Sequence, residues 1–277
     1  MKKQRIDTLL VDKGLCPSRQ QAQRWIRAGE VKISQRVIDK PGTLVDADSV
    51  IELKKKPPFV SRGGEKLAKA LRTFDIQPEG KICLDGGIST GGFTDCLLQA
   101  KAAKVYGIDV GYGQVAWKIR QDPRVTLKER TNIRHLTATE LYAKQPTDSV
   151  QNTMATLGVM DVSFISLAKV LPAFWSLLAA PHEAVLLVKP QFEVGRDKIG
   201  KKGVVRSAVD QASAILQVMQ AAAELGWHYR GLTWSETVGP AGNIEYLLWL
   251  RSDGEIHLWP ALSELCELTK AARQALS

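Results

Sequence analysis

The sequence has 277 residues, 44% of them hydrophobic and 24% charged, enough for one large domain with a proper core plus a small companion. That balance excludes a disordered or fibrous chain. Formal net charge is +9, and the first 56 residues hold 13 Lys and Arg against 7 Asp and Glu, six of those nine charges. Basic charge gathered at one end suits a polyanionic partner, because clustered Lys and Arg release the counterions condensed on phosphates.

Cys16, Cys83, Cys96 and Cys266 form no C-x-x-C pair, and His135, His182, His228 and His257 do not cluster with them. Neither a metal site nor a disulfide framework is expected. Residues 1–7 carry the charge of a signal peptide but lack the apolar run that should follow. The longest apolar stretch, 167–180, has 14 residues and is broken by Lys169 and Pro172, short of the roughly 20 that span a bilayer. A cytoplasmic protein with no membrane partner is expected.

From Arg5 the chain reads as two short helices and a small sheet. Ser18 is placed to N-cap the second helix, Gln21 to close a capping box and Gly29 to end it, with Ala22, Trp25 and Ile26 as the buried stripe. Arg19, Arg24 and Arg27 fall mostly on other faces. Strands are expected at 30–33 and 50–53, with Lys32, Arg36 and Lys40 adding charge nearby. Ser18-Arg19-Gln20-Gln21-Ala22 and Gly29-Glu30-Val31-Lys32-Ile33 resemble the RNA-binding domain named after small-subunit ribosomal protein four, over residues 4–53. The resemblance implies that Arg5, Arg19, Arg24, Arg27, Lys32 and Arg36 face RNA.

Residues 54–60, three lysines and two prolines before Phe59, read as a linker between a first domain, 1–53, and a second, 61–277. Beyond it, apolar runs at 81–85, 105–109, 157–161 and 184–189 are continuous, as in strands covered on both faces. Helical patterns at 92–100, 114–121, 167–178 and 208–225 alternate with them. The order predicts an α/β fold with a mostly parallel, doubly wound sheet. Two adjacent strands, 227–238 and 244–251, follow with little between them, so the last should return antiparallel.

Ligands in such sheets sit at the carboxyl ends of strands, where these runs finish in Asp85, Asp109, Asp161 and Lys189. After Asp85 come Gly86, Gly87, Ile88, Ser89, Thr90, Gly91 and Gly92, glycines that permit a tight turn against a ligand. Asp109 stands 24 residues after Asp85, near the spacing at which an acid grips ribose hydroxyls. An acid opening the loop repels pyrophosphate and suits the cationic end of S-adenosylmethionine, which favours that cofactor over a dinucleotide. A pyrimidine-carbon methyltransferase would need a cysteine nucleophile where Asp161 and Ser163 stand.

Longer motifs extend the argument: Ser61 to Leu67, Ser89 to Asp95, Asp109 to Gln114, Glu129 to Asn132, Met160 to Leu167, Val188 to Glu193 and Gly239 to Glu245. Over nearly its whole length the chain resembles the TlyA (haemolysin A) family of ribosomal RNA 2′-O-methyltransferases, an S-four-type domain joined to an FtsJ-like methyltransferase domain. The resemblance implies a catalytic set of Lys66, Asp161, Lys189 and Glu245, with cytidine ribose in ribosomal RNA or ribosomal subunits as substrate. Lys189 is expected to act as base, with Lys66 as neighbouring cation, Asp161 orienting Lys189, and Glu245 holding Lys66 or the ribose. A lysine serves as base only where its surroundings release the proton. The expected cofactor contacts are Asp85, Gly87, Ser89, Thr90, Gly91, Gly92, Asp109, Asn132 and Asp161.

Five basic residues between Val194 and Arg206 read as a lid gripping RNA phosphates through Arg196, Lys201 and Lys202, alongside Arg62. Two departures from the family pattern carry expectations. Gly86 should loosen the cofactor loop and Ile88 crowd it, altering affinity, and Pro57 and Phe59 replace the residues that usually precede Val60-Ser61-Arg62-Gly63. The rivals are a noncatalytic RNA-binding factor and a membrane-active haemolysin.

Overall fold

The continuous apolar runs become interior strands. A computed structural model describes residues 3–16, 18–53, 58–143 and 154–276, and divides the chain into two compact units, Met1–Pro57 and Pro58–Ser277.

In the first unit the elements are β1 (Lys3–Arg5), α1 (Ile6–Asp12), α2 (Arg19–Arg27), β2 (Val31–Ile33), β3 (Arg36–Ile38), β4 (Leu44–Asp46) and β5 (Ile51–Leu53). β2 pairs antiparallel with β3 and β5, and β1 with β4. Ile6, Leu10, Ala22, Ile26 and Val31 form a separate small core. α2 starts directly after Ser18, and Gly29, at φ +69°, supplies the left-handed residue beyond its end. The Gln21 side chain and the Lys54–Pro57 part of the expected linker lie outside the described residues.

The second unit contains α3 (Arg62–Phe74), β6 (Ile82–Gly86), α4 (Gly92–Gln99), β7 (Lys104–Ile108), α5 (Trp117–Arg120), β8 (Val125–Lys128), α6 (Ala138–Tyr142), β9 (Ala155–Met160), α7 (Leu171–Ser176), β10 (Leu178–Val188), α8 (Pro190–Glu193), α9 (Ala208–Glu224), β11 (His228–Trp234), β12 (Tyr246–Arg251) and α10 (Leu262–Ala275). Seven strands form one sheet in the order β11-β12-β10-β9-β6-β7-β8. β12 is antiparallel to both β10 and β11, and the other pairings are parallel, which bears out the mostly parallel sheet. Apolar cores cover both of its faces, one around Phe174, Ile215 and Tyr246 and the other around Leu67, Leu97 and Val185.

Residues 58–60, expected within the linker, belong to the second unit. Val60 N–H donates to Asp95 Oδ2 at 2.7 Å and Gln99 Nε2 donates to the Pro58 carbonyl at 2.9 Å. Phe59 lies over Gly64, where any Cβ would collide with its ring. α3 and α10 have no counterpart among the expected helices, nor β8 among the expected strands.

Candidate active site

Parallel strands deliver their carboxyl ends to one rim, and the reversed β12 delivers its amino end to the same rim. Asp85 and Gly86 from β6, Asp109 after β7, Asp161 after β9 and Lys189 after β10 therefore meet Glu245, which precedes β12. Two connected lobes open there. The larger, about 430 Å³, is lined among others by Gly87, Ser89, Asp109, Asn132, Asp161 and Ser163. The smaller, about 190 Å³, is lined by residues including Ser61, Arg62, Lys66, Thr90, Gly92 and Asp161. Gly87, Ser89 and Asp161 border both.

The glycine loop has a specific backbone need. Gly87 takes φ +87°, and a Cβ there would meet the Asp161 carbonyl oxygen at 2.5 Å, so a side chain would push apart the two strand-end loops that frame the cleft. Asp109 holds the loop from the other side: Oδ2 accepts the Ser89 N–H at 2.8 Å and Oδ1 the Gly111 N–H at 2.7 Å. Asn132 Oδ1 accepts the Arg134 N–H at 3.1 Å.

Two lysine–carboxylate pairs reach the smaller lobe. Lys66 and Glu245, both buried, form an ion pair across 179 residues of sequence. Lys189 Nζ lies 2.5 Å from Asp161 Oδ1. This second contact is close but not aligned as a hydrogen bond, since Asp161 Oδ1 is buried without a hydrogen-bond partner among the described residues; the aligned bond from Lys189 runs to Ser163 Oγ at 2.9 Å. Glu193 ties the loops carrying these groups, accepting from Ser166 Oγ at 2.6 Å and from the Leu167 N–H at 2.9 Å. Burial raises the Glu193 carboxyl, and those two bonds oppose the rise.

Several expectations are corrected. Asp85 does not line either lobe: it is fully buried beneath the loop, its Oδ2 accepting the Thr94 hydroxyl at 2.6 Å and its Oδ1 lacking a partner among the described residues. Burial pushes its carboxyl up to about 7, against the Thr94 bond and helped by the charge of Asp161. The acids that face the cleft are Asp109 and Asp161. Gly91 is also buried, and a Cβ there would press on Ile119 at 3.1 Å; it shapes the turn and does not border the lobes. Ile88 does not crowd the loop, because its side chain packs where Gly107 of β7 leaves room. Cys83 and Cys96 are buried, which pushes both thiols up to about 12 and makes them poor nucleophiles.

The basic residues differ in what they already hold. Arg24, Arg27, Arg36, Arg62, Arg196, Lys201 and Lys202 are exposed, and Lys32 is half-buried in β2. Arg5 and Arg19 both bond the buried Asp7, at 2.9 and 3.0 Å, with Gln23 as a further donor, so Asp7 fixes their guanidinium groups. The base of the basic loop is fastened, since Asn243 Oδ1 accepts the Val205 N–H at 2.9 Å and its Nδ2 donates to the Gly203 carbonyl at 2.8 Å.

Sequence reading missed Ser163, Phe164 and Gln114 in the larger lobe. Phe164 is 92% exposed at φ +64°, a strained position for an aromatic residue, with its ring 5.2 Å from that of Phe192. Its place in the Met160 to Leu167 motif was visible, but its exposure was not.

Among the described residues no helix is long and apolar enough to cross a membrane. The family model of FtsJ-like methyltransferases matches residues 59–252 and that of the S4 domain residues 4–51. The chain is 46% identical over 250 residues to a Mycobacterium tuberculosis protein named 16S/23S rRNA (cytidine-2′-O)-methyltransferase TlyA, covering 90% of each chain. It is 38% identical over 244 residues to Hemolysin A of Brachyspira hyodysenteriae, covering 88% of this chain and 98% of that one. A solved structure from Streptococcus thermophilus, provisionally described as a hemolysin, superimposes with a TM-score of 0.72 at 37% identity, covering 99% of this chain and 97% of the other. The two matched models, and relatives aligned over nearly the full length, place the chain in the TlyA (haemolysin A) family of FtsJ-like methyltransferases carrying an S4 domain.

Proposed function

We propose that this protein transfers the methyl group of S-adenosylmethionine to the 2′-hydroxyl of a cytidine in ribosomal RNA. The observation that carries the reading is the pair of contacts Lys66–Glu245 and Lys189–Asp161, with Lys66 and Asp161 lining one small lobe beside a larger one. The relatives' names supply cytidine and ribosomal RNA as the substrate class.

The lobes fit the two ends of that cofactor. Around Asp109, the larger lobe offers a carboxylate for ribose hydroxyls and the apolar Val110, Ile133 and Val162 for a base. Each Asp109 oxygen accepts one backbone N–H and retains a lone pair for a hydroxyl. Ser89, Thr90 and the first turn of α3 at Ser61 to Gly63 suit an amino-acid end, since helix amino termini present N–H groups to a carboxylate. Asp161, bordering both lobes, would hold the cationic centre. When bound, S-adenosylmethionine supplies an electrophilic methyl group on a sulfonium.

Lys189, once neutral, takes the ribose hydroxyl proton on Nζ as the oxygen gains the methyl group. Asp161 balances the ammonium that results. Lys66, fixed by Glu245, favours the negative charge developing on the ribose oxygen. Exposed Phe164 at the cleft offers a face for stacking the target base, and Arg24, Arg27, Arg36, Arg62, Arg196, Lys201 and Lys202 provide phosphate contacts.

The test is transfer of labelled methyl to small subunits, large subunits and free ribosomal RNA, comparing wild type with Lys189→Ala. Ribose methylation is recognised because the adjoining phosphodiester then resists alkali. Transfer by wild type and none by Lys189→Ala is expected. No transfer by wild type to any of the three, or a label on the base, overturns the reading.

A further inference from the structure

Lys189 Nζ has three described neighbours that act on it in different ways. The Phe192 ring centre is 5.8 Å away, Asp161 Oδ1 is at 2.5 Å without hydrogen-bond alignment, and Ser163 Oγ accepts an aligned bond at 2.9 Å. A charge contact attracts the amine almost equally at every rotation about Cε–Nζ. A hydrogen bond weakens steeply away from linearity and does not.

We propose that Ser163 is a positioning residue for methyl transfer: its Oγ takes one hydrogen of Lys189 Nζ and so aims the lone pair that must receive the ribose proton. The inference rests on Lys189 being the base. A neutral amine has two hydrogens and one lone pair on Nζ, and any of three rotations places the lone pair differently. With one hydrogen committed to Ser163, the lone pair is confined to the two remaining directions about Cε–Nζ. Without Ser163 the amine keeps Asp161's attraction and loses its orientation.

The surrounding chain holds the serine in place. The Asp161 N–H donates to the Gly86 carbonyl at 3.0 Å, and on the other side of Ser163 the Glu193 carboxylate receives Ser166 Oγ and the Leu167 N–H. Glu193 ends α8, the short helix that begins immediately after Lys189. Serine and lysine thus sit on two loops clamped to one another. Ser163 itself is exposed, so removing its hydroxyl opens no cavity in the core.

The experiment uses the full chain as wild type, Ser163→Ala and Ser163→Thr. In transfer to ribosomal subunits, Ser163→Ala should lower kcat roughly tenfold, with any rise in KM for S-adenosylmethionine smaller than that, and Ser163→Thr, which keeps an Oγ, should restore most of kcat. In the protein without cofactor, ¹⁵N relaxation of Lys189 Nζ should show faster rotation about Cε–Nζ in Ser163→Ala than in the other two. Unchanged kcat in Ser163→Ala, a loss confined to KM, or unchanged Nζ rotation each overturns the proposal. If wild type transfers no methyl group the methyltransferase reading falls, and the relaxation measurement still decides whether Ser163 orients the amine.

Discussion

Thr94 donates its hydroxyl hydrogen to Asp85 across 2.6 Å, and the other oxygen of that fully buried carboxyl has no partner among the described residues. Burial raises the Asp85 carboxyl to about 7, above its ordinary value near 3.8, so between those values the folded chain binds more protons at this site than the unfolded chain. Asp85 therefore lowers stability as pH rises from about 4 to about 7, with a slope of at most about 1.4 kcal/mol per pH unit. Asp85→Asn, neutral at every pH and still able to accept from Thr94, should remove that part of the slope. Urea unfolding of both proteins from pH 5 to 8 checks this, and parallel curves would reject it.

Asp7 gives a prediction with an unusual sign. Its carboxylate is held well below the ordinary range, chiefly by the Arg5 hydrogen bonds and further by Gln23 and Arg19. That contribution to stability is present at neutral pH and is lost as pH falls below the unfolded value near 4. Asp7→Asn makes the domain more positive, so simple attraction would tighten RNA binding. Loss of the fixed Arg5 and Arg19 orientation should instead weaken it about threefold to tenfold, at roughly 1 kcal/mol for orientation lost. Binding of labelled ribosomal RNA at fixed salt, with circular dichroism to confirm folding, distinguishes the two.

Removing Glu245 leaves the buried Lys66 charge uncompensated. Glu245→Ala should cost about 3–5 kcal/mol of stability, whereas Lys66→Met with Glu245→Leu should recover most of that while abolishing methyl transfer. Denaturant unfolding of the single and double variants tests the separation of stability from activity.

Phe164 stands nearly free of the core, so Phe164→Gly should leave the thermal midpoint unchanged or raise it, because glycine adopts φ +64° without strain. The loss of a stacking face should weaken RNA use by about tenfold or more, at roughly 1–3 kcal/mol per stacked base. KM for the RNA substrate is the measurement; an unchanged value removes Phe164 from the RNA-binding surface.

The sheet was legible because its inner strands are uninterrupted apolar runs, and the rim because those runs end in Asp85, Asp109, Asp161 and Lys189. Less visible was which side of the rim each acid faces. Asp85 and Asp161 both end their strands, yet one is roofed by the loop that follows it and the other borders the cleft. The effect of Ile88 depends on Gly107 of a neighbouring strand, a complementarity that spacing along the chain does not reveal. α3 was hidden because Gly63 and Gly64 give its first turn the look of a loop, while packing of Gly64 under Phe59 is what the glycine serves. Arg19 read as an unattached cation because its partner, Asp7, reaches it only through a fold that closes 12 residues of chain.

The Lys66–Glu245 pair also sets a condition on the order of assembly. A chain released before β12 would still contain Asp109, Asp161 and Lys189, but Lys66 would lack its carboxylate and β10 would become an open edge strand. An exposed apolar strand of that kind invites pairing with other chains. Termination before β12 should therefore produce an aggregating product instead of a weakened enzyme.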